Sequence, residues 1–101
     1  MKTLKVDGID VLLDDYDWLR LCRYKWRVKV VSAHGKRKYI ARQQRIKGKM
    51  VTFYLHRVVM NCPKGMEVHH IEGNFWDNRK EKLEMMTSFA HNEAHKKGQE
   101  L

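Results

Sequence analysis

The feature that most constrains the fold is an alternation of apolar and basic residues that starts near Trp26. The alternating residues are Trp26, Val28 and Val30 against Lys25, Arg27 and Lys29. Side chains in a strand point to opposite faces in turn, so this pattern predicts a half-buried strand with a basic outer face. Two more runs, YIARQQRI and MVTFYLHRVVM, flank Lys47-Gly48-Lys49. We therefore predict three antiparallel strands in hairpin order, basic on one side.

The sequence before this sheet predicts a short helix. The segment KTLKVDGIDVLLDD alternates weakly around an Asp-Gly turn. In DDYDWLRLCRYKW, Asp14 or Asp15 is suited to cap a helix, and the apolar residues that follow are grouped for one buried face.

Basic residues are segregated along the chain. The 21 Lys and Arg residues outnumber the 12 Asp and Glu residues and give a net charge of +9. No acidic residue occurs between residues 27 and 49. A solvated sheet face is the ordinary explanation of alternating charges, but segregated positive charge favours a nucleic acid. The predicted DNA-binding residues are Arg27, Lys29, Lys36, Arg37, Lys38, Arg42, Arg45, Lys47 and Lys49.

Other classes of protein are disfavoured. No apolar run approaches the ~20 residues of a membrane-spanning helix, and no basic-then-apolar leader opens the chain. We therefore expect a soluble, intracellular protein without a membrane partner. Cys22 and Cys62 lie far apart and outside any CxxC pair, which excludes a four-cysteine zinc ribbon.

Four of the six histidines follow Pro63, in EVHHIEGNFWDNRKEKLEMMTSFAHNEAH. Residues 67–71 read as a short strand, and Gly73, Asn74, Asp77 and Asn78 read as a loop. The sequence RKEKLEMMTSFAHNEAHKKGQ then predicts a helix, with an interruption near residues 87–88 where a hydroxyl could cap a second one. His91 and His95 would share one helix face.

The adjacent histidines are suited to different tasks. Neighbouring side chains of a strand point apart, so His69 and His70 should not both bind one ion. One of them, together with His91 and His95, can supply imidazole ligands to a divalent metal. The other can act as a general base, because an imidazole with a pKa near ~6.5 is largely neutral at pH 7.

These residues resemble the HNH endonucleases, and the likeness extends over roughly residues 55–95. The stretch LHRVVMNCPKGMEVHHIEGNFWDNRKEKLEMMT is most similar to the phage and intron-borne homing branch. The resemblance implies that His69 binds the metal and His70 activates the attacking water. It also implies that His91 is a metal ligand, and that His95 has a counterpart in the three-histidine sites of the colicin-type nucleases.

One position departs from the family pattern. The middle Asn of the family, which braces the loop and orients the base, falls at Lys82 in the triplet Glu81-Lys82-Leu83. Lysine has three donors and no acceptor, so it cannot replace an amide. Asn74, Asn78 or Asn92 could compensate.

The resemblance implies an α+β nuclease in which a short N-terminal helix and a three-stranded antiparallel sheet precede a ββα-metal element. We divide it into a DNA-binding region, residues 1–54, and a nuclease region, residues 55–101. One divalent ion, Mg²⁺, Mn²⁺, Zn²⁺ or Ni²⁺, would assist hydrolysis of double-stranded DNA in the cytoplasm of a bacterial or phage-infected host cell. A monomer would nick one strand, and a homodimer would cut both.

Two alternatives remain at this stage. One is a non-catalytic DNA-binding module whose histidines hold a structural metal, which Lys82 favours. The other is an RNA-binding protein whose aromatic residues stack on bases. Its stacking residues would be Trp26, Tyr39, Phe53 and Tyr54.

Overall fold

The computed structural model describes residues 1–31 and 37–87. Its strands are β1 (Lys2–Val6), β2 (Ile9–Leu13), β3 (Arg27–Val30), β4 (Lys38–Ile46), β5 (Lys49–Tyr54), β6 (Met66–His70) and β7 (Leu83–Thr87). The helices are α1 (Asp15–Leu21) and α2 (Leu55–Val59), with a short 3₁₀ turn at Lys80–Lys82. The described fold is thus a mixed α+β fold, mostly strand.

The chain opens with a hairpin, so the predicted short helix, which corresponds to α1, is not the first element of the fold, in contrast to the predicted architecture. Strands β1 and β2 pair antiparallel around Asp7 and Gly8, whose φ angles are 50° and 82°. Positive φ at both turn residues is typical of two-residue hairpins. Asp7 also accepts hydrogen bonds from the backbone of Val28 and the side chain of Arg27, each at 2.9 Å. These bonds attach the hairpin turn to β3.

Strands β3, β4 and β5 form an antiparallel sheet in that order. The register separates two faces. The Tyr39 face carries Arg27, Lys29, Tyr39, Ala41, Gln43, Arg45, Met50, Thr52 and Tyr54. The Arg42 face carries Val28, Val30, Lys38, Ile40, Arg42, Gln44, Ile46, Lys49, Val51 and Phe53. The expectation that the sheet is basic on one side is therefore wrong, because the basic positions of β4 and β5 fall on both sides of the alternation.

The third predicted run, MVTFYLHRVVM, is not one strand. Strand β5 ends at Tyr54, and α2 follows immediately. Leu55 and Val59 are buried at 0% and 2% exposure. Their spacing of four residues brings both to one side of a helical turn, and the burial of the adjacent His56, at 6% exposure, breaks the alternation of a strand.

The segment after the loop also differs from its predicted helix. Residues 80–82 form the 3₁₀ turn, and residues 83–87 form β7, which pairs antiparallel with β6. Leu83 is buried and Met85 is half-buried against the core. Leu83 and Met85 face the core while Glu84 between them is exposed, and burial at every second residue is the pattern of a strand. The remainder of the predicted helix, from residue 88 onward, lies outside the described residues.

One apolar core connects the elements. Its buried residues come from the hairpin, both helices, the central sheet and the β6–β7 pair: Val6, Val11, Leu13, Leu21, Trp26, Ile40, Leu55, Val59, Val68 and Leu83. Strand β6, which carries His69 and His70, is therefore packed against this core through Val68. Within residues 1–31 and 37–87, no helix has the length and apolar character needed to cross a membrane.

Candidate active site

The two adjacent histidines end strand β6. His70 is paired with Leu83 of β7 and is 5% exposed, whereas His69 is paired with Glu84 and is half-buried. Both line a small pocket of about 160 Å³, which we call the histidine pocket. Its lining residues are Arg37, Tyr39, Val68, His69, His70, Gly73 and Phe75. The structure thus brings together His69, His70 and one predicted DNA-binding residue, Arg37.

The loop after β6 folds back onto His70. The Gly73 amide donates to the His70 carbonyl at 2.9 Å, and Gly73 has a φ of 71°, which glycine adopts without strain. The side chain of Asn74 accepts from the Trp76 amide at 3.0 Å, as Asx residues commonly do in turns. The chain therefore reverses within a few residues and returns Asn78 toward the histidine.

Asn78 fixes both the orientation and the tautomer of His70. Its side-chain nitrogen donates to the Phe75 carbonyl at 3.2 Å, so its Oδ1 is the atom that faces His70 Nε2, at 3.0 Å. An amide oxygen can only accept, so Nε2 carries the proton. The lone pair that remains on Nδ1 can accept a proton from another group. Of the asparagines suggested by the sequence, Asn78 makes this contact and Asn74 does not, and Asn92 lies outside the described residues.

The N-terminal hairpin holds the loop that carries Asn78. The Leu12 amide donates to the Trp76 carbonyl at 2.8 Å, and the Asn78 amide donates to the Leu12 carbonyl at 2.9 Å. Asp14, which follows β2, accepts from the Lys80 amide at 2.9 Å. The amino-terminal part of the chain therefore fixes the loop at Trp76, Asn78 and Lys80.

Aromatic rings surround His70. The Tyr39 ring stacks with His56 at 4.6 Å and with His70 at 6.0 Å between centroids. Phe75 meets His70 edge-on at 5.7 Å. Burial lowers the pKa of His70, the Asn78 hydrogen bond opposes that change, and the neighbouring His69 lowers the pKa further. The net decrease keeps His70 neutral at pH 7.

Lys82 makes contacts different from those of an orienting amide. Its ammonium lies 2.8 Å from Glu72 Oε1, and this carboxylate raises the pKa of Lys82. The Ile71 amide also donates to the Lys82 carbonyl at 3.0 Å. Lys82 therefore closes the base of the loop, while Asn78 contacts the histidine.

Asp77 and Arg79 form a second pair in this loop. Arg79 donates through Nε and Nη2 to the two carboxylate oxygens of Asp77, at 2.9 and 2.7 Å. This hydrogen bonding lowers the pKa of Asp77. The pair stiffens the segment directly beside Asn78.

Of the predicted metal ligands, His91 and His95 lie outside the described residues. In the described part of the chain, no three His, Cys, Asp or Glu side chains are grouped to hold a metal. His69 contributes one imidazole at the histidine pocket, a donor suited to divalent transition metals. Among the expected ions an imidazole suits Zn²⁺ or Ni²⁺ best, and His69 is the one predicted ligand that lies within the described residues.

The predicted DNA-binding residues divide between surfaces. Arg27, Lys29 and Arg45 are on the Tyr39 face, which leads to the histidine pocket through Tyr39. Lys38, Arg42 and Lys49 are on the Arg42 face. Lys47 occupies the β4–β5 turn, with a φ of 50°. Lys36 lies outside the described residues.

A groove of about 270 Å³ runs along the Tyr39 face. We call it the lysine groove, and its lining includes Lys25, Arg27, Lys29, Gln43 and Thr52. Sequence reasoning omitted Lys25, although its place in the alternation with Arg27 and Lys29 could have identified it. It also missed the role of Leu12, which acts through its backbone and leaves no side-chain signal.

The segment that contains this site is similar to a known protein family. Residues 53–93 match a family model described as HNH endonuclease, a range that includes His69, His70, Asn78 and His91 and ends before His95. A search of curated proteins and a search of solved structures found no match. The family match indicates a nuclease or nucleic-acid-binding function. It supports membership of the HNH endonuclease family for this part of the chain.

Proposed function

We propose that the protein is a metal-dependent endonuclease of the HNH type that hydrolyses phosphodiester bonds in double-stranded DNA. The observation that carries the proposal is the bond from His70 Nε2 to Asn78 beside a pocket shared with His69. A buried, neutral and oriented imidazole is what a general base requires. The HNH match covers the same residues.

In the proposed reaction, His70 Nδ1 takes a proton from a water molecule. The resulting imidazolium keeps its Nε2–H bond to Asn78, whose oxygen favours the charged ring. The water oxygen attacks phosphorus in line, and the bond from phosphorus to the 3′ oxygen breaks. The leaving 3′ oxygen takes a proton from solvent, and the imidazolium returns its proton to solvent, so the products are a 5′ phosphate and a 3′ hydroxyl.

His69, His91 and His95 would hold the divalent ion. When bound, such an ion stabilises the negative charge that develops on the phosphate and on the leaving 3′ oxygen. The role of His69 is supported by its position on the histidine pocket next to the proposed base.

The proposed path of the DNA runs over the Tyr39 face. Lys25, Arg27 and Lys29 line the lysine groove, and Arg37 lines the histidine pocket. Lysine and arginine contacts to phosphates position a duplex without reading its sequence. A duplex on this face would bring a phosphate close to His70.

The proposal also covers the form of the cleaved DNA and the cell in which the protein acts. One site cuts one strand, so a monomer would nick, and a homodimer would make a double-strand break. Membership of the phage and intron-borne homing branch, and action in the cytoplasm of a bacterial or phage-infected host cell, are part of the proposal through the sequence resemblance.

The test is the conversion of supercoiled plasmid to its nicked form, with and without divalent ions. We expect nicking with Mg²⁺ or Mn²⁺, or with Zn²⁺ or Ni²⁺, and none with excess chelator. DNA binding without nicking under any of these ions would overturn the proposal and favour a non-catalytic DNA-binding module. Preference for RNA over duplex DNA in competition would overturn the assigned substrate.

The DNA path has its own test in two matched double variants. Lys29→Gln with Arg45→Gln removes two charges from the Tyr39 face, and Lys38→Gln with Lys49→Gln removes two from the Arg42 face. We expect the first to weaken duplex binding and to flatten its salt dependence by about 0.9 for each phosphate that is no longer neutralised. Equally weakened binding in both variants would contradict a path over one face.

A further inference from the structure

A second positively charged pocket is lined by residues of α1, β4, β5, α2 and the turn after α2. It has a volume of about 420 Å³, and its lining includes Arg20, Arg42, Phe53, Arg57 and Asn61. We call it the arginine pocket. It shares no lining residue with the histidine pocket, but it shares Arg42 and Thr52 with the lysine groove. The proposed cleavage and DNA path therefore give Arg20 and Arg57 no task.

Two of the guanidinium groups are fixed by other parts of the fold. Arg20 donates through Nε and Nη2 to one oxygen of Asp17, at 3.0 and 2.9 Å. Arg57 donates to the backbone carbonyls of Met66 and Pro63, at 2.7 and 3.2 Å. Their positions are set before any ligand arrives, which reduces the entropy cost of binding.

Arg42 is held mainly by aromatic rings. Its guanidinium carbon lies 4.1 Å from the Tyr24 ring centroid and 4.6 Å from that of Phe53. Its Nη1 donates to Gln44 at 2.9 Å. In the described residues, Arg42 Nε is buried and has no hydrogen-bond partner. A buried donor without a partner carries a desolvation cost.

The charges at the arginine pocket are incompletely balanced. Across residues 1–31 and 37–87, Asp17 forms an ion pair with Arg20, and no carboxylate forms one with Arg42 or Arg57. Partly buried cations favour an anion, and arginine matches the paired oxygens of phosphate. The volume falls in the range of small-molecule sites, about 300–1,000 Å³, which leaves room for more than a phosphate alone.

We infer that the arginine pocket binds a nucleotide through its phosphate group, supplied by a free mononucleotide or by a DNA strand. Arg42 and Arg57 would hold phosphate oxygens. Phe53 supplies an aromatic surface beside them, and bases stack favourably on such rings. The inference does not depend on cleavage, because no residue of the proposed reaction takes part.

The test is calorimetric titration of the full chain, without divalent ions, with thymidine 5′-monophosphate and with thymidine. We expect saturable binding of the monophosphate and none of the nucleoside. Arg42→Gln should weaken binding by about tenfold or more, because it removes hydrogen bonds to a charged group. Lys38→Gln is the matched control, because Lys38 shares the strand and face of Arg42 but not the pocket.

A second arm repeats both variants, together with Arg57→Gln, with an intact duplex and distinguishes the sources. Arg57 lines the arginine pocket but not the lysine groove, which Arg42 also lines. Weaker monophosphate binding in Arg42→Gln supports a free nucleotide, and weaker duplex binding alone, in both Arg42→Gln and Arg57→Gln, supports a DNA strand. No difference between Arg42→Gln and Lys38→Gln in either arm would overturn the inference.

Two further variants keep the inference testable. Should Arg42→Gln fail to fold, Arg42→Lys keeps the charge without the planar fork. Unchanged affinity in that variant, together with no thermal stabilisation of the parent by the monophosphate, would also overturn the inference. His70→Ala should bind normally in both arms, which separates this result from a failure of the nuclease proposal.

Discussion

Two histidines that pack against the ring of Tyr39 have different surroundings. His56 lies in the first turn of α2, and His70 ends β6. Both are buried, at 6% and 5% exposure, and their ring centroids lie 5.1 Å apart. Burial, the charge of His70 and the charge of Arg57 all lower the pKa of His56, to about 3. The two sites therefore share burial and aromatic packing.

The difference is the amide of Asn78. Its hydrogen bond opposes the effect of burial on the pKa of His70, and it leaves one ring nitrogen to act as an acceptor. A histidine with a pKa of about 3 takes up almost no proton at pH 7, so it makes a poor general base. His56 is buried without such a hydrogen bond, and we interpret it as a packing residue. His70 is buried and also oriented by the Asn78 oxygen, so it is the candidate general base.

The largest expected effect comes from replacing these two rings separately. His70→Ala should reduce plasmid nicking by about 100-fold or more, the usual contribution of a general base, while DNA affinity and metal affinity change little. His56→Phe keeps a ring against Tyr39 and should retain most of the activity. Single-turnover nicking with both variants, with melting curves as a control for folding, measures the contrast.

Two outcomes would contradict this assignment. Equally reduced activity in His56→Phe and His70→Ala would mean that the cluster acts as one structural unit. Loss of metal affinity in His70→Ala, with metal affinity kept in His69→Ala, would exchange the roles of the two adjacent residues.

The next effect concerns the amide itself. Asn78→Ala removes the acceptor for His70 Nε2, and misplacement of a catalytic group can cost about 100-fold in rate. Asn74→Ala is the matched control, because Asn74 lies in the same loop and bonds to the Trp76 amide instead. We expect a much smaller decrease of nicking for Asn74→Ala. Similar rates in the two variants would show that Asn78 does not orient the base.

A pH profile separates orientation from general loss of structure. The lowered pKa of His70 places the acid limb of the parent's nicking rate below about 6.5, the ordinary imidazole value. Asn78→Asp offers a carboxylate that favours imidazolium, so it should move this limb to higher pH. An unmoved limb would contradict the contact between the two side chains.

Replacement of His56 should change the pH dependence of the free energy of unfolding rather than the rate of nicking. Its folded pKa, about 3, is below the unfolded value, so below pH 6.5 the unfolded chain binds the extra proton. The free energy of unfolding should therefore fall as pH falls from 6.5 toward 3, by about 1.4 kcal/mol per pH unit for this proton. Denaturant unfolding of the parent and of His56→Phe measures the difference, since other groups titrate in both. Parallel curves would mean that His56 is protonated as easily when folded.

The sequence predicted the strand and the loop around the two histidines better than the elements that flank them. The residues His69 and His70, the strand that carries them and the loop with Gly73 follow from local patterns. Asn78 was one of three candidates, because a local pattern does not tell which amide the returning chain brings to the ring. That choice depends on long-range bonds from the loop to Leu12 of the hairpin.

The misassigned elements have a similar physical cause. Residues 83–87 have good helix formers, yet pairing with β6 and the burial of Leu83 outweigh this propensity. Tyr54 and Leu55 belong to one apolar run, and only the core shows where strand gives way to helix. Charge composition predicted a nucleic-acid partner for the chain, but the register of the sheet decides which basic side chains share a face.

The smallest effect is expected at Lys82, where the chain departs from the family pattern. Restoring the family residue would raise the rate only if the base lacked an orienting amide. Asn78 already contacts His70, and Lys82 pairs instead with Glu72 at 2.8 Å. We therefore expect Lys82→Asn to change single-turnover nicking by less than about threefold, which corresponds to under ~1 kcal/mol in the barrier. The variant should melt slightly below the parent, because it removes an exposed ion pair at the base of the loop. Glu72→Gln, which breaks the same pair from the other side, is the control and should have the same small effect on melting. A large gain in rate for Lys82→Asn with no change for Glu72→Gln would show that the family position orients the base in this chain too, and that the Asn78 contact is not sufficient.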